Sequence, residues 1–179
     1  MEVLRLVNKA LSDDDIRRIL GRDIKILKYS DLDEYTDLDE LLPNPTGYCI
    51  ILYEDRPDRG HWAGLLKYDG LFEHFDSYGN TVDAPLRWIN MKQRRLLDQA
   101  EASLSRLLAH EHYMYNHVEY QNKDSSVNTC GSHVCHRIYK LKHDRMDLPT
   151  YHQFMQGIKE ETSVGYDLIV AEWVRKLLG

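Results

Sequence analysis

The chain has 179 residues, 42% of them hydrophobic, which suits a single folded domain over 1–179 and excludes a wholly disordered chain. Its 23 basic and 29 acidic residues leave a net charge of −6, which gives no support to nucleic acid as a partner. No apolar run approaches the roughly 18 residues of a membrane span, and the start at Met1-Glu2-Val3-Leu4-Arg5 has none of the parts of a signal peptide.

Residues 1–11 read as a short strand or arm. Ser12-Asp13-Asp14-Asp15 is a helix start: Ser12 caps, Asp15 reaches back, and the acidic first turn suits the dipole. Ile16, Ile19 and Leu20 form its inner face and Gly21 ends it. Ile24 to Tyr29 reads as a strand. Ser30 then caps a second short helix carrying Leu32, Tyr35, Leu38, Leu41 and Leu42, whose acidic run from Asp31 to Glu40 is read as a solvated face. Pro43-Asn44-Pro45 breaks the chain. Gly47 to Tyr53 is a buried strand with Cys49 in the core, and Glu54 to Gly60 a charged loop.

His61 opens a strand that ends at Tyr68. Asp69-Gly70 is a two-residue hairpin signal, and Leu71 to Phe75 returns to Asp76. The ends of such a hairpin lie side by side, so an imidazole meets a carboxylate. That is the pairing of a general base with its orienting group. Asp83 and Pro85 open a long helical region through Leu108, with Arg87, Lys92, Arg94 and Arg95 as a basic but solvated face. Tyr113, Tyr115 and Val118 suggest a strand aimed at Gln121.

Thr129 is placed to cap a helix beginning at Cys130, with Val134, Ile138 and Leu141 on one apolar face. A thiol at a helix N-terminus meets unpaired N–H groups and a positive dipole end, both of which favour the thiolate. The same N–H groups can hold an oxyanion, with Gln121 as a side-chain donor. A cysteine by itself is more often a small buried hydrophobe; the upstream His61 and Asp76 are what change its meaning. His133 and His136 are read as the exposed side of this helix and Cys135 as packing inward. The histidines show none of the standard zinc spacings, so no metal is expected. Three cysteines without framework spacing point to a reducing, intracellular compartment. Two amphipathic helices follow, with stripes Tyr151, Phe154, Met155, Ile158 and Val170, Trp173, Val174, Leu177.

His61-Trp62, then Phe75-Asp76-Ser77-Tyr78-Gly79, then Gln121, then Thr129-Cys130-Gly131 resembles the adenain-like cysteine proteases. That clan includes the adenovirus maturation protease, proteases of large DNA viruses and virophages, and the SUMO- and NEDD8-processing peptidases. The resemblance spans about residues 47–140. It implies an α+β fold, a mixed central sheet flanked by helices, with the nucleophile at a helix N-terminus. It implies a triad of His61, Asp76 and Cys130, with Gln121 as oxyanion donor. Trp62 and Gly131 would line the substrate channel, although Trp62 reads equally well as core. The implied substrates are polypeptides, capsid or core precursors cut at Gly-Gly-like sites during virion maturation, in the virion and host cytoplasm. The implied enzyme is a monomer that needs no metal or organic cofactor and leaves room for an activating peptide. Three alternatives stay open: a ubiquitin-like-protein peptidase on the same core, an acetyltransferase of the same clan, and a non-catalytic binding module.

Overall fold

The computed structural model describes residues 2–179. The chain starts with helix α1 (Glu2–Val7), where the sequence suggests a strand or arm. Its contacts with the last helix of the chain decide the conformation of a stretch too short to decide for itself. Helix α2 (Asp13–Leu20) has the capping box read from Ser12 and Asp15, and buries Ile16, Ile19 and Leu20. Strand β1 (Lys25–Lys28) follows. The helix expected from Ser30 is instead two pieces, a 3-10 helix over Tyr29–Glu34 and the single turn α3 (Leu38–Leu41). Asp37 caps the second piece by accepting from the Asp39 N–H.

Strands β2 (Gly47–Arg56) and β3 (Arg59–Tyr68) form a long ribbon. Residues 54–60 are therefore strand with a tight turn, where composition suggests a charged loop; backbone pairing of Glu54 with Gly60 overrides the polar side chains. Gly60 is needed there, since a Cβ would overlap the Tyr53 carbonyl. Strand β4 (Leu71–Phe75) returns through Asp69 and Gly70, both at positive φ (51° and 76°), as a two-residue hairpin requires.

The expected long helix is three short ones: a 3-10 helix over Ala84–Trp88, α4 (Met91–Leu96) and α5 (Ser103–Leu108). Asn90 caps α4 through Gln93 N at 2.9 Å, and Asp98 turns the chain at φ 52°. Arg94, read as part of a basic face, spends its guanidinium on the Gln99 and Ala100 carbonyls and so holds that turn. Strand β5 (Tyr113–Tyr115) covers only the first part of the strand expected from Tyr113 through Val118. Helices α6 (Cys130–Asp144), α7 (Leu148–Thr162) and α8 (Tyr166–Leu178) complete the chain. Leu177 leaves the expected apolar stripe of α8 and is 45% exposed. Among the described residues no helix is long and apolar enough to cross a membrane.

The fold is α+β, and the chain forms two compact units. One comprises Ile24–Asp76 and Asn80–Asn116. It contains the five-stranded mixed sheet in the order β1-β2-β3-β4-β5, with parallel outer pairs and antiparallel inner ones. Its core joins Tyr29, Leu32, Leu38, Ile51, Leu65 and Leu104 with Cys49, which is buried as read. The other unit comprises the residues up to Asp23 with Ser77–Gly79 and His117–Gly179. It is helical, with α6 packed against α2 and α8. Val134, Ile138 and Leu141 point into that packing as the sequence indicates, at 5% exposure or less.

Candidate active site

In the sheet unit, β3 carries His61 opposite Tyr53 on β2, and Asp76 follows β4 directly. His61 Nε2 lies 2.9 Å from Asp76 Oδ1. The imidazole is 10% exposed and the carboxylate fully buried. An ionised carboxylate only accepts hydrogen bonds, so Nε2 carries the proton and the lone pair of the neutral ring lies on Nδ1. Asn116 fixes the backbone behind the pair by donating from Nδ2 to the Asp76 carbonyl at 2.6 Å. Trp88 meets the His61 ring edge-on at 5.5 Å and is 54% exposed, whereas Trp62 is buried at 7% exposure opposite Leu52. The exposed aromatic beside the imidazole is thus Trp88. His74 on β4 is fully buried, and neither ring nitrogen has a partner among the described residues; burial lowers its pKa.

In the helical unit, Cys130 is the first residue of α6, 8% exposed, with Gly131 buried behind it. Thr129 occupies the N-cap position but does not cap. Its backbone sits at φ −97°, ψ 6°, away from the extended geometry of a capping residue, and its hydroxyl donates to Asp167 Oδ1. The first-turn N–H groups of α6 are therefore not taken by the Thr129 side chain. His133 and His136 are buried, at 0% and 3% exposure, which corrects the expectation that they lie on a solvated side. The reason is that α6 is enclosed by α2 and α8, and each ring has found a polar partner: His133 Nε2 donates to Asp167 at 3.0 Å, and His136 shares a hydrogen bond with Tyr151 at 2.8 Å.

Gln121 is 2% exposed and held at both ends of its amide. Ser77 donates to its oxygen at 2.7 Å, and its nitrogen donates to the Val127 carbonyl at 3.1 Å. This fixes which end is the NH2 and leaves that group a second hydrogen to give. Ser77 also holds the backbone, accepting from the Tyr120 and Gln121 N–H groups at 2.9 Å each.

The two other cysteines are inert by environment. Burial pushes the Cys49 thiol up to about 12 and raises that of Cys135, which packs inward as read. Burial lowers the His133 pKa against the pull of Asp167. Burial also works to raise the Asp167 carboxyl, but hydrogen bonds from His133 and Thr129 outweigh it and hold the group below its ordinary value. Among the described residues no three His, Cys, Asp or Glu side chains gather as metal ligands do.

Sequence reasoning passes over Trp88, Asn116 and Asp167. Trp88 lies in a stretch that reads as one continuous helix, so its exposure has no local signal. Asn116 and Asp167 are ordinary polar residues whose partners lie 40 and 45 positions away.

No family model matches the chain. A protein of Sputnik virophage, "Uncharacterized protein V9", is 32% identical over 175 residues, which is 95% of this chain and 97% of that protein. The chain belongs to the family of that virophage protein. The likeness runs through both compact units, so it covers all four of His61, Asp76, Gln121 and Cys130 by extent, and it sets the chain in a viral context.

Proposed function

We propose that the protein is a cysteine endopeptidase that cuts viral capsid or core precursor proteins at small-residue, Gly-Gly-like sites as particles mature. The observation that carries this reading is the buried His61–Asp76 pair at 2.9 Å, an imidazole oriented to act as a base. The uncapped α6 opening on Cys130, the oriented Gln121 amide, the resemblance to adenain-like proteases and the virophage relative all support it.

In this mechanism His61 Nδ1 takes the Cys130 proton, and Asp76 stabilises the imidazolium through Nε2–H. The thiolate attacks the peptide carbonyl carbon. The resulting oxyanion is held by first-turn N–H groups of α6 and by Gln121, an effect of about 3–4 kcal/mol per donor. The C–N bond breaks as His61 protonates the leaving amine. His61 then removes a proton from water, whose oxygen attacks the thioester, releasing the carboxylic acid and restoring the thiol. The exposed Trp88 beside His61 offers an apolar surface for a substrate residue next to the cut.

An irreversible thiol probe on a Leu-x-Gly-Gly-type peptide tests this. Labelling confined to Cys130 and lost in both Cys130→Ala and His61→Ala is the expected result. Labelling that survives His61→Ala would remove the histidine-activated mechanism. Cleavage of a capsid precursor in preference to a ubiquitin-like precursor separates maturation from deconjugation.

A further inference from the structure

Asp167 belongs to α8, yet its carboxylate is spent on the segment that carries Gln121 and Cys130. Oδ2 accepts the Asn122 N–H at 2.9 Å. Oδ1 accepts the Thr129 hydroxyl and His133 Nε2, the latter at 3.0 Å. Asn122 is the chain neighbour of Gln121, and Thr129 the neighbour of Cys130. His133 lies one helical turn beyond. One carboxylate therefore pins both ends of the 122–129 segment and the first turn of α6.

The Thr129 contact has a chemical consequence. A threonine before a helix ordinarily turns its hydroxyl onto the N–H of the second or third helical residue. Here those residues are Gly131 and Ser132, whose N–H groups the proposed oxyanion and thiolate need. By taking the hydroxyl, Asp167 keeps the threonine from competing with the reacting groups. The Thr129 backbone at φ −97°, ψ 6° fits this diversion, since capping would require it to become extended.

We infer that Asp167 is a positioning residue that holds the Thr129 hydroxyl off α6 and so keeps the helix N-terminus open for the Cys130 thiolate and the substrate oxyanion. The inference rests on Cys130 being the nucleophile. It differs from a merely structural role in one respect: the damage done by losing Asp167 should be relieved by also losing the hydroxyl.

The test is alkylation of Cys130 by iodoacetamide across pH, followed by mass spectrometry on the folded full chain. Cys49 and Cys135 serve as internal controls for unfolding. Asp167→Ala is expected to slow Cys130 alkylation at neutral pH about tenfold and to move its half-maximal pH upward. Thr129→Val alone is expected to stay within about twofold of wild type, because its hydroxyl is not on the helix. The double variant should recover at least half of the logarithmic loss. Asp167→Asn can keep Oδ1 for Thr129 but sets its NH2 against the Asn122 N–H, so it is expected to fall between wild type and Asp167→Ala; if Asp167→Ala does not fold, the cycle is run with Asp167→Asn, whose loss Thr129→Val must likewise relieve. The inference is overturned if Asp167→Ala alkylates as wild type does. It is equally overturned if the double variant is no faster than Asp167→Ala, or if Thr129→Val alone accelerates the reaction. Peptide-probe labelling and the alkylation cycle fail separately: a protein that cuts no peptide can still show the Thr129–Asp167 coupling, and a working peptidase can lack it.

Discussion

Asp83 in the sheet unit and Asp167 in the helical unit each collect hydrogen bonds from distant segments. Asp83, 7% exposed, accepts the Tyr29 and Tyr53 hydroxyls at 2.8 and 3.0 Å and the Ser105 N–H and hydroxyl at 2.9 and 2.6 Å. Its donors belong to the core: the two phenol rings stack at 4.6 Å, and burial together with the Asp83 charge raises both phenol pKa values. They remain protonated donors throughout the ordinary pH range. Asp167 has a 16% exposed side chain, and its donors flank Gln121 and Cys130. The same carboxylate chemistry thus stiffens a scaffold in one unit and shapes a reactive segment in the other. What a buried carboxylate does depends on what its donors are attached to.

Five variants and one titration sharpen that contrast. The largest effect is expected from Asp76→Asn, which should cut peptide turnover by roughly 10²–10⁴-fold while the melting temperature changes little, because an amide no longer fixes the His61 tautomer. Equal turnover in that variant would leave the 2.9 Å contact without a catalytic meaning. Asp83→Ala should cost about 3–5 kcal/mol in urea unfolding, since two phenols and a backbone N–H lose their buried acceptor. Its activity loss should follow the folded fraction, whereas Asp167→Ala should lose Cys130 reactivity while folded. If the two variants behaved alike, the contrast between scaffold and site would collapse.

Acid should affect the helical unit through His136, whose pKa burial lowers from the ordinary 6.5 to about 3. The unfolded chain binds the proton more readily, so this group's contribution is complete above pH 6.5 and lost as pH falls from there toward 3. Unfolding free energy should drop by at most about 1.4 kcal/mol per pH unit over that window. His136→Asn, which keeps a polar atom near Tyr151, should flatten the slope; an unchanged slope would assign it to other groups. The smallest effect is Tyr53→Phe, about 1 kcal/mol, because Asp83 retains its other donors.

The half of the candidate site in the hairpin was legible because its geometry is local. Asp69-Gly70 dictates the turn, the turn dictates the register, and the register carries His61 toward Asp76. Cys130 at a helix start was legible for the same reason: the spacing of Val134, Ile138 and Leu141 marks the helix behind it. The burial of His133 and His136 was not, since a histidine in a helix looks alike on either face until α2 and α8 close over it. Nor was the fragmentation of the 83–108 region, where apolar spacing suits one helix but the Arg94 contacts and the Asp98 turn break it.

Local sequence determined the Asp69-Gly70 turn and the strands that flank it, the capping box of α2 and which elements carry the imidazole, the carboxylate and the thiol, because each depends on neighbours a few residues apart. Tertiary structure alone decided that Thr129 gives its hydroxyl to Asp167 and that Trp88, not Trp62, is the exposed ring beside His61. Those outcomes depend on groups the chain brings together only after its elements pack. A capping threonine and a diverted one are identical in sequence and differ only in which acceptor lies within reach.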